Sequence, residues 1–150
     1  MAKIYVSSVI EEPVGNVWAY IRDFNSLPKW FPSVTDSKIE DGKAADQIGC
    51  VRDFGLEGGP RIRERLLALS DQLHTCTYAM LASPMPISNY VATVRLSQVT
   101  DGNRTFAELT SEFNCVTAQE KELVGFLAGI YQGAFDLLKQ HFSKRKSAVQ

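Results

Sequence analysis

The chain lacks the residue patterns that most often hold metals, cross bilayers or grip nucleic acids. Its two histidines, His74 and His141, lie far apart, and its three cysteines, Cys50, Cys76 and Cys115, are widely spaced. No Cys/His/carboxylate spacing resembles a metal site, so no metal is expected. An odd, scattered set of cysteines fits free thiols in a cytoplasmic protein better than a disulfide framework. No apolar run approaches the roughly 18 residues of a membrane helix, so no membrane insertion is expected. The opening MAKIYVSSVIEE has neither the apolar stretch nor the cleavage site of a secretory signal. Lys and Arg total 16 against 17 Asp and Glu, a formal net charge of −1. That balance offers no electrostatic footprint for nucleic acid or an anionic membrane. GLEGG lacks the lysine and helix of a phosphate-binding loop, no Gly-x-Ser-x-Gly elbow exists, and no cofactor is implied.

What is present is an ordinary globular composition, 45% apolar and 22% charged. A chain of 150 residues reads as one domain, residues 1–150, able to bury about 70% of the surface its unfolded form exposes. KIYVSSVIEE, rich in β-branched residues, predicts an opening strand. Pro13 then starts a helix, with Val14, Val17, Trp18 and Ile21 at helical spacing. NSLPKWFPS predicts a second short helix, anchored by Trp30 and stopped by Pro32. From about residue 34 to residue 116, strand-like segments alternate with the turn compositions EDGK, GLEGGP, SDQ, ASPMPISN and TDGN, the spacing of an antiparallel meander. A long final helix is predicted from about Ala118 to Lys144, opened by a capping box of Thr117 and Glu120. Its apolar surface is wide: Leu123, Phe126, Leu127, Ile130, Ala134, Leu137 and Leu138, flanked by Tyr131, Phe135 and Phe142. A stripe that broad needs a large, curved partner. The order predicts an α+β fold, with one curved antiparallel sheet gripping the C-terminal helix and two short helices after the first strand.

Side chains alternate across a strand, so polar residues can be sorted by face. In RIRERLLAL, Arg61, Arg63 and Arg65 share the face that must be wet, which leaves Ile62, Glu64 and Leu66 on the dry one. In IGCVRDFGL, Ile48, Cys50, Arg52, Phe54 and Leu56 share a face. In NYVATVRL, Tyr90 joins Ala92, Val94 and Leu96. Leu67 and Leu69 break the alternation, marking a bulge or an apolar outer patch. Three strands thus each turn one polar side chain inward: a cation, an acid and a phenol. A lone buried carboxylate is costly or becomes protonated. Arg52 relieves that cost if it pairs with Glu64 across neighbouring strands through two hydrogen bonds, and Tyr90 can donate another. The trio reads either as a structural ion pair with an aromatic cap or as a functional cluster. Buried pairs seldom add net stability, and ionisable groups gathered in a cavity mark functional sites, which favours the second reading.

The element order, with EEPVGNVWAYIRDFNSLPKWFP near the start, resembles the START-like (SRPBCC) superfamily of helix-grip proteins over nearly the whole chain. GCVRDF, RERLLAL, NYVATVRL and GIYQGAFDLLK are similar to the polyketide cyclase/dehydrase group, which includes lachrymatory-factor synthase and small bacterial relatives. The resemblance implies a cavity between sheet and long helix, and catalytic roles for Arg52, Glu64 and Tyr90. In related hormone receptors the corresponding glutamate and tyrosine hold water around a ligand, so one cluster can serve chemistry or recognition. GLEGGP is shorter than the receptors' gate loop, and SPMPIS lacks their histidine-containing latch, which argues against a receptor role. The loop between Arg52 and Glu64 is also shorter than in lachrymatory-factor synthase, which separates the chain from that enzyme's own substrate.

The joint expectation is a cavity lined by Phe54, Leu66, Met85, Phe126, Ile130 and Ala134 that binds a small, mostly apolar molecule. In an enzyme of cyclase, dehydratase or isomerase type, Arg52 orients or neutralises an oxygen, Glu64 moves a proton and Tyr90 donates to developing negative charge. The alternative is a non-catalytic carrier or sensor of a hydrophobic ligand. Met85, between Pro84 and Pro86, is either a stiff cover over that ligand or an ordinary exposed turn.

Overall fold

A computed structural model describes residues 1–149, with side chains through residue 146. The elements are β1 (Ala2–Ile10), α1 (Val14–Ile21), α2 (Leu27–Trp30), β2 (Val34–Ile39), β3 (Val51–Leu56), β4 (Arg61–Ser70), β5 (Thr75–Ala82), β6 (Ser88–Val99), β7 (Arg104–Asn114) and α3 (Glu120–Val149). The seven strands form one sheet in the order β1-β7-β6-β5-β4-β3-β2, and every neighbouring pair is antiparallel. Strands β2 to β7 are a meander of consecutive neighbours. β1 lies beyond β7, so α1 and α2 carry the chain from one edge of the sheet to the other. The architecture is the helix-grip α+β fold.

The last helix starts differently from the sequence expectation. Thr117–Gln119 forms a single 3-10 turn opened at Val116 with no side-chain cap, so the Thr117/Glu120 capping box does not form. Glu120 and Glu122 in the first turn of α3 supply negative charge where the helix dipole favours it. Leu127, Tyr131, Ala134, Phe135, Leu138 and Phe142 form its buried stripe. Phe126 was expected on that stripe but is 56% exposed. One residue step turns the helix by about 100°, which carries Phe126 off the face centred on Tyr131 and Phe135.

The main core lies beneath α3, where Ile4 and Ile10 of β1, Leu96 of β6 and Ala107 and Phe113 of β7 meet Val17 and Trp18 of α1. Among the strands, α3 approaches β1 most closely, so the β2–β5 half of the sheet curves away from the helix. Two smaller clusters fill part of that half: Phe24, Cys50 and Leu66, and Val34, Phe54 and Ile62. The bend in β4 is visible in its register. Leu66 faces Tyr78 and Ala68 faces Thr77, which leaves Leu67 as an extra residue. After this bulge Leu67 and Ala68 point to solvent and Leu69 packs half-buried against the core. The break in alternation in the sequence is therefore a bulge, and bulges sharpen twist and curvature.

The wet face of β4 is held by ion pairs. Arg61 reaches Asp36 at 2.9 Å and Asp53 at 2.8 Å, and Arg63 reaches Glu40 at 2.6 Å. Gly55 lies beneath this network: a Cβ there would stand 2.5 Å from Asp36 Oδ1 and 2.8 Å from Arg61 Nη1. Ile48 was expected to extend the inner face of β3, but it precedes the strand and is 54% exposed.

Phe142, fully buried near the end of α3, is met edge-on by Tyr20 and His141. Phe142→Ala should lower stability by about 3–5 kcal/mol, read by urea unfolding. A loss under about 1 kcal/mol would show that this end of α3 does not clasp the core.

Candidate functional site

Where the β2–β5 half of the sheet parts from α3, a cavity of about 500 Å³ opens. Its walls come from the inner faces of β3 to β6, from α2, from the loop carrying Met85 and from α3, and most of its side chains are apolar. Phe54, Met85, Ile130 and Ala134 line it, as the sequence suggested. Two expected lining residues do not. Leu66 is fully buried, packed with Phe24 and Cys50 behind the wall, and Phe126 points to solvent, with Leu127 of the same turn taking its place. Trp30 also borders the cavity, and its Nε1 is the one buried side-chain polar atom without a partner among the described residues. A second hollow of about 400 Å³ lies against β1, β6 and β7 and is bordered by Lys3, Tyr5, Thr93 and Glu112.

Arg52, Glu64 and Tyr90 all line the larger cavity. Arg52 and Glu64 stand directly opposite each other in the β3–β4 register and are 7% and 4% exposed. Arg52 Nε donates to Glu64 Oε1 at 2.9 Å and Nη2 donates to the same oxygen at 2.7 Å. Nη1 donates to the Phe24 carbonyl at 3.1 Å. The guanidinium is stacked 4.0 Å from the Phe24 ring centroid and 4.9 Å from that of Tyr78, contacts in which the ring quadrupole supports the buried cation. Glu64 Oε2 accepts from no donor among the described residues, and it is not among the fully enclosed atoms without a partner. It therefore faces open space in the cavity.

Burial pushes the Glu64 carboxyl above its usual range, while the Arg52 charge and hydrogen bonds pull it back without cancelling the shift. Burial is the strongest single influence on Arg52 and would lower it, but the Glu64 charge, its hydrogen bonds and the neighbouring Tyr78 and Cys76 together outweigh burial, so the guanidinium is held protonated. Burial likewise raises the phenols of Tyr78, Tyr90 and Tyr131, which stay neutral hydroxyls, and pushes the Cys76 thiol up to about 11.

Tyr90 does not complete the cluster as the sequence suggested. Its hydroxyl bonds to that of Tyr131, and Tyr131 donates to Ser111 Oγ at 2.8 Å. The cavity thus has two polar poles, the Arg52–Glu64 pair and a Tyr90–Tyr131–Ser111 hydroxyl chain. Strand alternation could have found more of this. Ser111 lies between Leu109 and Phe113 on the buried face of β7, and Tyr78 shares a face with Cys76 and Met80 of β5. The Phe24 carbonyl carries no side-chain signal. Cys50, Cys76 and Cys115 are free thiols, and no helix among the described residues is long and apolar enough to cross a membrane.

Fold and cavity together define a helix-grip protein with a buried, polar-tipped pocket. Residues 1–143 match the family of polyketide cyclase/dehydrase and lipid transport proteins, and the chain belongs to it. Solved structures agree. The protein XoxI from Bacillus cereus is 30% identical, with a TM-score of 0.87, over 97% of this chain and 99% of that one. An uncharacterised protein from Bacillus thuringiensis is 30% identical, with a TM-score of 0.84, over 94% and 98% of the two chains. A Nitrosospira multiformis protein is 26% identical, with a TM-score of 0.82, over 97% and 99%. No curated protein matches the sequence.

Removing only the acid should expose the cost of the pair. Glu64→Ala leaves Arg52 buried without its counter-charge and should cost about 3–5 kcal/mol, whereas the double change Arg52→Met with Glu64→Leu should restore most of that loss. Chemical unfolding of the three proteins decides it. A double variant no more stable than Glu64→Ala would mean that the pair is needed for folding itself.

Proposed function

We propose that the protein binds a small, mostly apolar molecule in this cavity and catalyses a proton transfer on it, with Glu64 as the base. The observation that carries the reading is Glu64 Oε2, a carboxylate oxygen with no donor among the described residues, facing a mostly apolar cavity. A carboxylate held by one oxygen keeps the other free to accept a proton, and poor solvation raises its basicity. Arg52 holds the carboxylate in place and balances its charge. The neutral Tyr90 hydroxyl can donate toward an oxygen on which charge develops once the chain through Tyr131 and Ser111 turns its protons toward the cavity. Binding and orientation in a dry pocket supply the remaining advantage. Such chemistry needs no cofactor and fits cyclase, dehydratase or isomerase reactions. The family's description also names lipid transport, and the same cavity without turnover would serve a carrier.

The two readings separate on a generic proton-transfer probe, 5-nitrobenzisoxazole. A base removes its C3 proton, the N–O bond opens, and a coloured nitrophenolate forms. The protein should accelerate this reaction, and Glu64→Gln, which keeps shape but cannot act as a carboxylate base, should lose roughly 10²–10⁴ of the rate. Because the ionised form is the base, the rate should fall as pH drops through the raised Glu64 pKa, with a midpoint above the usual 4.5. An equal rate in folded Glu64→Gln, or no acceleration by the native protein, would remove Glu64 as a base and leave the carrier reading.

A further inference from the structure

We infer that the cavity is built for an uncharged ligand that donates a hydrogen bond at the Glu64 pole and accepts one at the Tyr90–Tyr131 pole. This deepens the ligand-binding reading above and rests on it.

The Tyr90–Tyr131 pole follows from counting protons. Tyr90, Tyr131 and Ser111 carry three hydroxyl protons, and the two hydrogen bonds that link them use two. One proton is left over. If it stays on Ser111 it has no protein acceptor, because Ser111 is buried and donates to no other group among the described residues. A buried donor without an acceptor is costly. In this structure Tyr131 is the donor to Ser111, and only the Tyr90–Tyr131 bond takes either donor. Hydroxyl protons rotate, however, and an acceptor on a ligand would turn the chain round. Reversing the chain makes Ser111 donate to Tyr131 and Tyr131 to Tyr90, which brings the spare proton to Tyr90, on the cavity wall. A ligand oxygen that accepts there satisfies every hydroxyl in the chain. A carbonyl or ether oxygen fits this role, and an apolar group leaves the proton stranded.

The Glu64 pole has the opposite character. Oε2 is an acceptor without a donor among the described residues, so a ligand O–H or N–H is its complement. Tyr78, stacked beside the guanidinium, also lines the cavity and has a hydroxyl without a partner among the described residues.

Charge decides the rest. Both arginines that border the cavity are already paired, Arg22 with Asp71 at 2.6 Å and Arg52 with Glu64 at 2.7 Å. An anion entering the pocket would meet no free cation and would stand near an unneutralised carboxylate oxygen, an arrangement that carries the full desolvation penalty. Carboxylate ligands such as free fatty acids are therefore excluded, whereas neutral molecules bearing both a hydroxyl and a carbonyl are favoured.

The test uses four flexible probes of equal chain length, with affinities measured by calorimetry at mildly alkaline pH. They are 10-hydroxydecan-2-one, its methyl ether, 10-hydroxydecanoate and decan-1-ol. The hydroxyketone should bind tightest. Capping its hydroxyl or replacing its ketone by carboxylate should each weaken binding by about tenfold or more. Tyr90→Phe should cut its advantage over decan-1-ol, a comparison made within one variant and so insensitive to small losses of stability. If all four probes bind alike, or 10-hydroxydecanoate binds best, the inference is overturned while the cavity remains a ligand site. If none binds, including decan-1-ol, the ligand-binding reading fails and this inference with it.

Discussion

The rest of the site depends on a cation and an acid that face each other across β3 and β4 inside a mostly apolar enclosure. Neither could be buried alone. The guanidinium needs the carboxylate to balance its charge, and it also uses the Phe24 carbonyl and two aromatic rings. The carboxylate needs only one of its oxygens to hold the cation. That asymmetry matters. A fork engaging both oxygens would close the pair on itself, whereas this one leaves Oε2 open to whatever enters the cavity. Hydrophobic residues could have filled the same space at little or no cost in stability, so the pair is better understood through what it offers a ligand than through what it adds to the fold.

The fold provides the room. α3 covers the β1 side of the sheet, and the bulge at Leu67 helps the β4 region curve away from it. The gap is closed by short pieces: α2 with Trp30, Phe24 before it, and the loop bearing Met85. Trp18 Nε1 and Arg22 both bond Asp71 at 2.8 Å and 2.6 Å, tying the α1 end to the β4–β5 turn. The polar groups thus stand on strands and on the long helix, which fix their positions, and the covering segments are the short ones.

Much of this was legible in the sequence because it follows from periodicity. Alternation placed Arg52, Glu64 and Tyr90 inward, and helical spacing with turn chemistry gave the order of elements. Alternation fails where the chain stops being a regular strand. Ile48 precedes β3 and lies in solvent, and the bulge reverses the faces after Leu66. It also blurs on β5, where inner and outer side chains are half-buried alike because the inner ones face a cavity. Periodicity cannot say which residues on a dry face touch a void, so Leu66 was placed on the wall when Phe24 and Cys50 pack against it. Nor does it fix partners. Tyr90 and Glu64 share the cavity, yet the Tyr90 hydroxyl turns to Tyr131, a contact between β6 and α3 that no local pattern encodes.

Both the proton transfer and the ligand preference depend on Glu64 being a poorly solvated carboxyl in contact with the cavity. Carbon-detected NMR of protein carrying ¹³C-labelled glutamate, with the Glu64 signal assigned by its loss in Glu64→Gln, reads this group directly through a pH titration. The Glu64 midpoint should lie above the usual 4.5. A Glu64 midpoint at or below 4.5 would contradict that reading, because the carboxylate would then be well solvated or fully satisfied by Arg52 and unsuited to take a proton from a ligand.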